Sequence, residues 1–397
     1  MIDRRQWLGL SVAAAMAPLG LPATGEAGPP QIRRHVRLGR TGFEVSDIGF
    51  GSASSSDPDL VRHALDRGVT LFDTAESYRF GWSEEAIGEG LKGVRDRVVL
   101  SSKTKAGAGD RQADMMAALE GSLRRLQTDH LDIYFNHAVN DVRRMQNPEW
   151  AEFTERAKEQ GKIRFRGMSG HGSRLVESLD YAIEHDLVDV VLVAYSFAQD
   201  PDFLDRLRHT FHYVALQPEL PRALEQAKAK DIGVIAMKTL MGGRLNDMRP
   251  YERDGGTFAQ AALRWVLSSP RVDAALISMT SAARIDEYVA ASGEAEVRRG
   301  DLDLLGRYAE LQSGAYCRPA CSACEGACPE NVAIAEVLRT RMYAVDYRDP
   351  ALAVEDYAKL GAGATACLDC AHQACLGACP FGLPIPALTR DAAARLG

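Results

Sequence analysis

The first 316 residues of this 397-residue chain contain no cysteine. Disulfides and cysteine-held metals are thereby excluded from most of the chain, and its core must rest on apolar burial. Runs of Lys or Arg along a helical stretch are also missing, and the formal net charge is -7 with a pI near 5.8. That balance leaves no electrostatic footprint for nucleic acid, which is not expected as a partner. No apolar run beyond residue 21 is long enough to cross a bilayer as a helix. No GxGxxG follows the first apolar run, so the fingerprint of an open dinucleotide-binding sheet is absent. What remains, 46% hydrophobic and 25% charged residues, is an ordinary globular composition in a chain long enough for a large domain and a small one.

From residue 45 to about 292 a short β-branched run, a turn and an amphipathic stretch recur. The runs are 45–51, 69–73, 97–103, 131–136, 163–169, 188–196, 232–238 and 272–278. Helical patterns lie between them, for example at 60–68, 112–126, 150–161 and 258–269. Eight such units over roughly 250 residues predict an α/β fold, a closed (β/α)8 TIM barrel; an open doubly wound sheet is the alternative. Ahead of them, Thr41 and Gly42 sit between alternating residues and predict a hairpin that closes the barrel bottom. After Gly300 the pattern changes to helical stretches and cysteine clusters, which puts the barrel at 36–299 and a second domain at 300–397.

In such a barrel the reactive residues stand where strands end. Asp73 ends the second run, Lys103 the third, and His137 follows the fourth, while Tyr78 lies five residues past Asp73. Each alone reads as a surface or satisfied polar residue; three at the ends of consecutive strands read as a site. FDTAESY (72–78) followed by WSEEAIGEGL (82–91) resembles the aldo-keto reductase signature, and the resemblance extends over about residues 36–292. It implies a carbonyl–alcohol oxidoreductase acting on a small substrate. Tyr78 would be the proton donor, Lys103 the cation that assists it, Asp73 the partner of Lys103, and His137 the group that orients the carbonyl. The chemistry is coherent, because a phenol gives up its proton poorly near neutral pH and a neighbouring ammonium stabilises the phenolate.

No side chain supplies a hydride, so a nicotinamide cofactor is required, NADP or NAD. RGMSGHG (166–172) resembles the family's carboxamide-binding segment, with Ser169 in place and Gly170 where an Asn is usual. Leu192 stands where the family has Gln, and Met237, followed by Lys238, stands where an aromatic stacks on nicotinamide. Gly242 and Gly243 suit either a backbone that approaches a pyrophosphate or a plain flexible turn. Thr280 and Arg284 match the segment that binds the adenosine end.

The eight cysteines fall in two sets, Cys317, Cys321, Cys324, Cys328 and Cys367, Cys370, Cys375, Cys379, each closing on C-x3-C-P. The pattern resembles ferredoxins in which the fourth cysteine ligates the other cluster. It implies two 4Fe-4S clusters in a mainly helical ferredoxin-like domain, one held by Cys317, Cys321, Cys324 and Cys379, the other by Cys367, Cys370, Cys375 and Cys328. A redox partner would follow. Disulfides, zinc and a radical S-adenosylmethionine triplet fit the spacing and position less well. Finally, Arg4-Arg5 before an apolar stretch from Trp7 to Leu21 resembles a twin-arginine export signal over residues 1–27. A periplasmic protein with no integral membrane segment is expected, the alternative being an uncleaved anchor. The rival reading of the whole is an exported iron-sulfur electron-transfer or binding protein whose barrel is inactive.

Overall fold

The computed structural model describes residues 28–172, 174–197, 219–240, 247–253, 256–294, 296–312, 317, 323–345 and 350–397. The export segment 1–27, Gly242, Gly243 and Cys321 lie outside the described residues.

β1 (His35–Arg37) and β2 (Glu44–Ser46) form the expected antiparallel hairpin, with Val36 opposite Val45. Its turn requires glycine: Gly39 has φ +47°, and a Cβ there would stand 2.3 Å from the backbone nitrogen of Gly233. Leu38 and Val45 join the side chains inside the barrel, so the hairpin plugs its lower end.

Eight parallel strands close the barrel in the order β10-β3-β4-β5-β6-β7-β8-β9. They are β3 (Ile48–Gly51), β4 (Leu71–Asp73), β5 (Val99–Thr104), β6 (Leu131–Asn136), β7 (Ile163–Gly170), β8 (Val190–Ala194), β9 (Gly233–Met237) and β10 (Ala274–Ser278). Each is covered on both faces, which is why the sequence shows apolar runs rather than alternation. Leu71, Ile133, Val190, Leu192 and Ile235 fill the interior, while the outer faces pack on helices started by local signals. Asp57 accepts from the Asp59 amide ahead of helix Pro58–Asp66, and Thr257 and Gln260 form a capping box on helix Phe258–Ser268.

Helix Arg299–Gln312 packs on this outer layer. Leu305 and Tyr308 join its core, Tyr308 stacks on Phe258 at 4.2 Å, and Asp301 accepts from Arg264 at 2.5 and 2.9 Å. The chain then builds a second core from Val337, Leu338, Tyr343, Tyr357, Ile385 and Ala392. Its helices include Ile334–Val345, Pro350–Ala358 and Ile385–Leu396. This unit sits on the C-terminal ends of the strands: Lys105, just past β5, pairs with Glu355 at 2.6 Å and Asp356 at 3.2 Å. Among the described residues no helix is long and apolar enough to cross a membrane.

Candidate active site

Asp73, Lys103 and His137 meet at the upper mouth of the barrel because β4, β5 and β6 are adjacent and in register there. Lys103 Nζ donates to Asp73 Oδ2 at 2.5 Å and to the Thr74 carbonyl at 2.6 Å, and Ser101 donates to Asp73 Oδ1 at 2.6 Å. Both charges are buried. Burial raises Asp73 and lowers Lys103, and their mutual attraction opposes both shifts. Tyr78 lies in the loop above, its ring centre 4.8 Å from Lys103 Nζ and 5.5 Å from the His137 ring, which it meets edge-on. The backbone turns sharply straight after it, with Arg79 and Phe80 at φ 50° and 60°, two side-chain-bearing residues in the left-handed region that glycine usually takes.

Burial holds His137 well below the usual histidine range, and Lys103, Lys105, Arg144 and Lys359 push the same way. The imidazole is therefore neutral near pH 7, and its Nδ1 is buried without a hydrogen-bond partner among the described residues. An orphaned ring nitrogen at a barrel mouth fits a ligand that carries a polar group. Sequence reasoning missed what fixes it. Arg144 donates to the carbonyls of Ala106, Ala138 and His137 and to Asn136 Oδ1, at 2.6–3.0 Å, tying down the loop after β6. Burial brings its guanidinium down to about 10. The Ser83-Glu84 pair of the signature supports the loop from beneath: Ser83 donates to Ser52, and Glu84 accepts from Ser102 at 2.5 Å and Arg125 at 2.6 Å.

The expected cofactor residues line the neighbouring strand ends. Ser169 Oγ accepts from the Ala138 amide at 3.1 Å, which leaves its own proton for a carboxamide. Gly170 replaces the usual Asn for a steric reason: a Cβ would meet Leu175 Cδ1 at 2.5 Å and the Val139 carbonyl at 2.8 Å. Leu192 is buried inside the barrel and offers no amide, and Met237 packs at the upper edge of the same interior. Lys238 is drawn to the second domain, its Nζ 3.0 Å from the Tyr343 hydroxyl. Thr280, just past β10, is exposed, and Arg284 pairs with Glu287 at 2.6 Å. Ser169 lies at the end of β7 and Thr280 follows the end of β10, so the residues expected to hold a nicotinamide dinucleotide stand at strand ends of the same mouth, with Leu192 and Gly170 offering no side-chain amide.

In the second domain Cys328, Cys367, Cys370 and Cys375 line one hollow that opens to solvent. Burial pushes the Cys367 and Cys375 thiols up, and the crowded neighbouring sulfurs add to it. Cys317, Cys324 and Cys379 pack in the same core, and no disulfide joins the described cysteines to one another. Among the described residues no three Cys, His, Asp or Glu side chains approach closely enough to bind a single metal ion.

The aldo/keto reductase family model matches residues 49–254, just over half of the chain. An aldo-keto reductase of Bacillus subtilis is 34% identical over 166 aligned positions, covering 37% of this chain and 49% of that one, so the match spans about half of that relative. The L-galactose dehydrogenase of Arabidopsis thaliana is 27% identical over 308 positions, 68% of this chain and 91% of the relative. Among solved structures, an aldo-keto reductase from Klebsiella pneumoniae in complex with NADPH is 28% identical, with a TM-score of 0.54 over 70% of this chain and 95% of that one. Strand order, strand-end residues and these matches agree: the chain belongs to the aldo/keto reductase family.

Proposed function

We propose that this protein is an NADP-dependent oxidoreductase that interconverts a small carbonyl compound and its alcohol. One observation carries the reading: Tyr78 lies against a buried Asp73–Lys103 pair and a neutral His137, at the mouth of a barrel whose NADPH-bound relative shares the fold. Ser169 and the Thr280–Arg284 end would hold the nucleotide, which supplies the hydride when bound. Neutral His137 directs a ring nitrogen at the carbonyl oxygen, and Tyr78 gives that oxygen its proton as Lys103 stabilises the phenolate left behind. The ion pair to Asp73 keeps Lys103 in place.

Under the same reading the second domain carries iron-sulfur clusters. Support comes from Cys328, which joins Cys367, Cys370 and Cys375 around one hollow in the crossed arrangement that the ferredoxin resemblance implies. Anaerobically purified protein should then contain about eight iron atoms per chain, and stoichiometric zinc without iron would end this part of the reading. The twin-arginine-like segment would export the chain already folded and cluster-loaded, to the periplasm.

Leu192 and Met237 favour a second reading, an exported iron-sulfur protein with an inactive barrel. NADPH titration of the purified chain separates the two. The Tyr78→Phe variant should keep nucleotide binding and lose at least ~10²-fold in carbonyl reduction. Turnover near the wild-type value in that variant removes Tyr78 from the mechanism.

A further inference from the structure

One of the contacts between the second domain and the barrel is a buried phenol oxygen. Tyr343, on helix Ile334–Val345, brings its hydroxyl to 2.9 Å from His171 Nδ1, while Lys238 Nζ and Arg339 Nη1 reach it at 3.0 and 2.8 Å. Burial, then the Lys238 and Arg339 charges, hold His171 well below the usual histidine range, so it is a neutral acceptor. Every bond then has a donor and an acceptor: the two cations donate to the phenol oxygen, and the phenol donates to His171. His171 follows β7 and Lys238 follows β9, which places Tyr343 across the strand ends on either side of β8.

Two independent features show that this contact is built rather than incidental. Lys238 has φ 56°, a left-handed conformation that strains a side-chain-bearing residue and persists only where its surroundings demand it. Around the same mouth, Asp356 accepts from both Lys105 and Arg339, and helix Pro350–Ala358 packs on the turn Tyr78–Gly81. The second domain thus touches the ends of β4, β5, β7 and β9. Thr280, which the sequence matches to the adenosine-binding segment, stays exposed.

We propose that Tyr343 is a positioning residue of the barrel's site: the second domain is a fixed roof over its nicotinamide and substrate half, and Tyr343 sets Lys238 and His171 as the upper wall of that half. The inference rests on the reading of the barrel as a nicotinamide-dependent oxidoreductase. Without the hydroxyl, Lys238 and Arg339 lose the acceptor they share, His171 loses the phenol as its donor, and Lys238 loses a contact that holds its strained backbone. The wall moves, whereas Asp73, Tyr78, Lys103 and His137 keep their own bonds. Binding should suffer and the chemical step should not.

The test uses the full chain with its metal complement, as wild type, Tyr343→Phe, Lys238→Met and the double variant. NADPH binding is followed by fluorescence, and reduction of para-nitrobenzaldehyde gives kcat and KM. Each single variant should raise KM about tenfold or more, the fold-change of one lost charge-assisted hydrogen bond, with kcat nearly unchanged. The double variant should be no worse than the poorer single one, because both cut the same contact. Unchanged KM and nucleotide affinity in both single variants, or additive effects in the double, overturn the proposal. Should Tyr343→Phe fail to fold, Lys238→Met decides alone, since it keeps the Tyr343–Arg339 bond. A wild type that binds no NADPH and reduces no aldehyde instead defeats the functional reading and takes this inference with it.

Discussion

Two tyrosines stand at the barrel mouth, each with a lysine near its ring and a histidine meeting it edge-on, and they are held in opposite ways. Lys103 spends its bonds on Asp73 and the Thr74 carbonyl and lies 4.8 Å from the centre of the Tyr78 ring. Lys238 donates to the Tyr343 oxygen itself. In the first set the ammonium is a fixed charge beside a phenol on a surface loop. In the second the phenol is buried and its oxygen ties two domains together. The same three residue types thus make a reactive site where the lysine is braced by a carboxylate, and a fastening where the lysine is braced by the tyrosine.

The severest way to break this comparison is to remove the brace of the first set. Lys103→Met leaves Asp73 buried and charged without its partner, which costs about 3–5 kcal/mol when a buried pair is split. It also removes the charge that assists Tyr78, so carbonyl reduction should fall by at least ~10²-fold in whatever protein folds. Denaturant unfolding and steady-state rates check both. A variant of wild-type stability would mean that Asp73 takes up a proton at little cost, which its burial-raised affinity for protons would permit.

A smaller effect tests what the two sets share. His137 and His171 are both held below the usual histidine range by burial and nearby cations. A group depressed in the folded state contributes stability that is full above its unfolded value, about 6.5, and is lost as pH falls. Each histidine should therefore remove up to about 1.4 kcal/mol per pH unit below that point, because the unfolded chain binds a proton that the folded one refuses. His171→Asn should flatten the decline between about pH 6.5 and about pH 5 relative to wild type; equal slopes would mean that His171 protonates freely in the folded protein.

The first set was legible in the sequence and the second was not, for physical reasons. Asp73, Lys103 and His137 close successive strands, so strand periodicity alone places them at one end of one barrel. The hairpin before the barrel was legible too, because a turn signal between alternating residues is local. Tyr343 reads as one more apolar position on a helix, and its hydroxyl acquires meaning only when that helix lies across β7 and β9. The same holds for Arg144, whose partners are mostly carbonyl oxygens that no residue pattern records. Lys238 was legible as a strand-end residue but not as a partner of the second domain. The one signal that could have prompted a search is a strong helical run between two cysteine sets, with Arg339 and Tyr343 one turn apart on one face.

The mildest perturbation separates fastening by charge from fastening by the Tyr343 oxygen. Lys105 reaches from the end of β5 to Glu355 and Asp356, and it is largely buried while Glu355 is partly exposed. Lys105→Met keeps most of the side chain's apolar stem and deletes only the ammonium. Asp356 retains Arg339 and Lys359 as partners, so no buried carboxylate is stranded. The loss should be about 1 kcal/mol or less, in the range of a solvent-screened pair, and it should shrink further in high salt. KM for the aldehyde should stay near the wild-type value, because the Tyr343 contact is untouched. Thermal unfolding at low and high salt, beside the kinetics, measures this. A KM rise as large as that expected for Lys238→Met would mean that ion pairs, rather than the Tyr343 hydroxyl, hold the roof in register with the barrel.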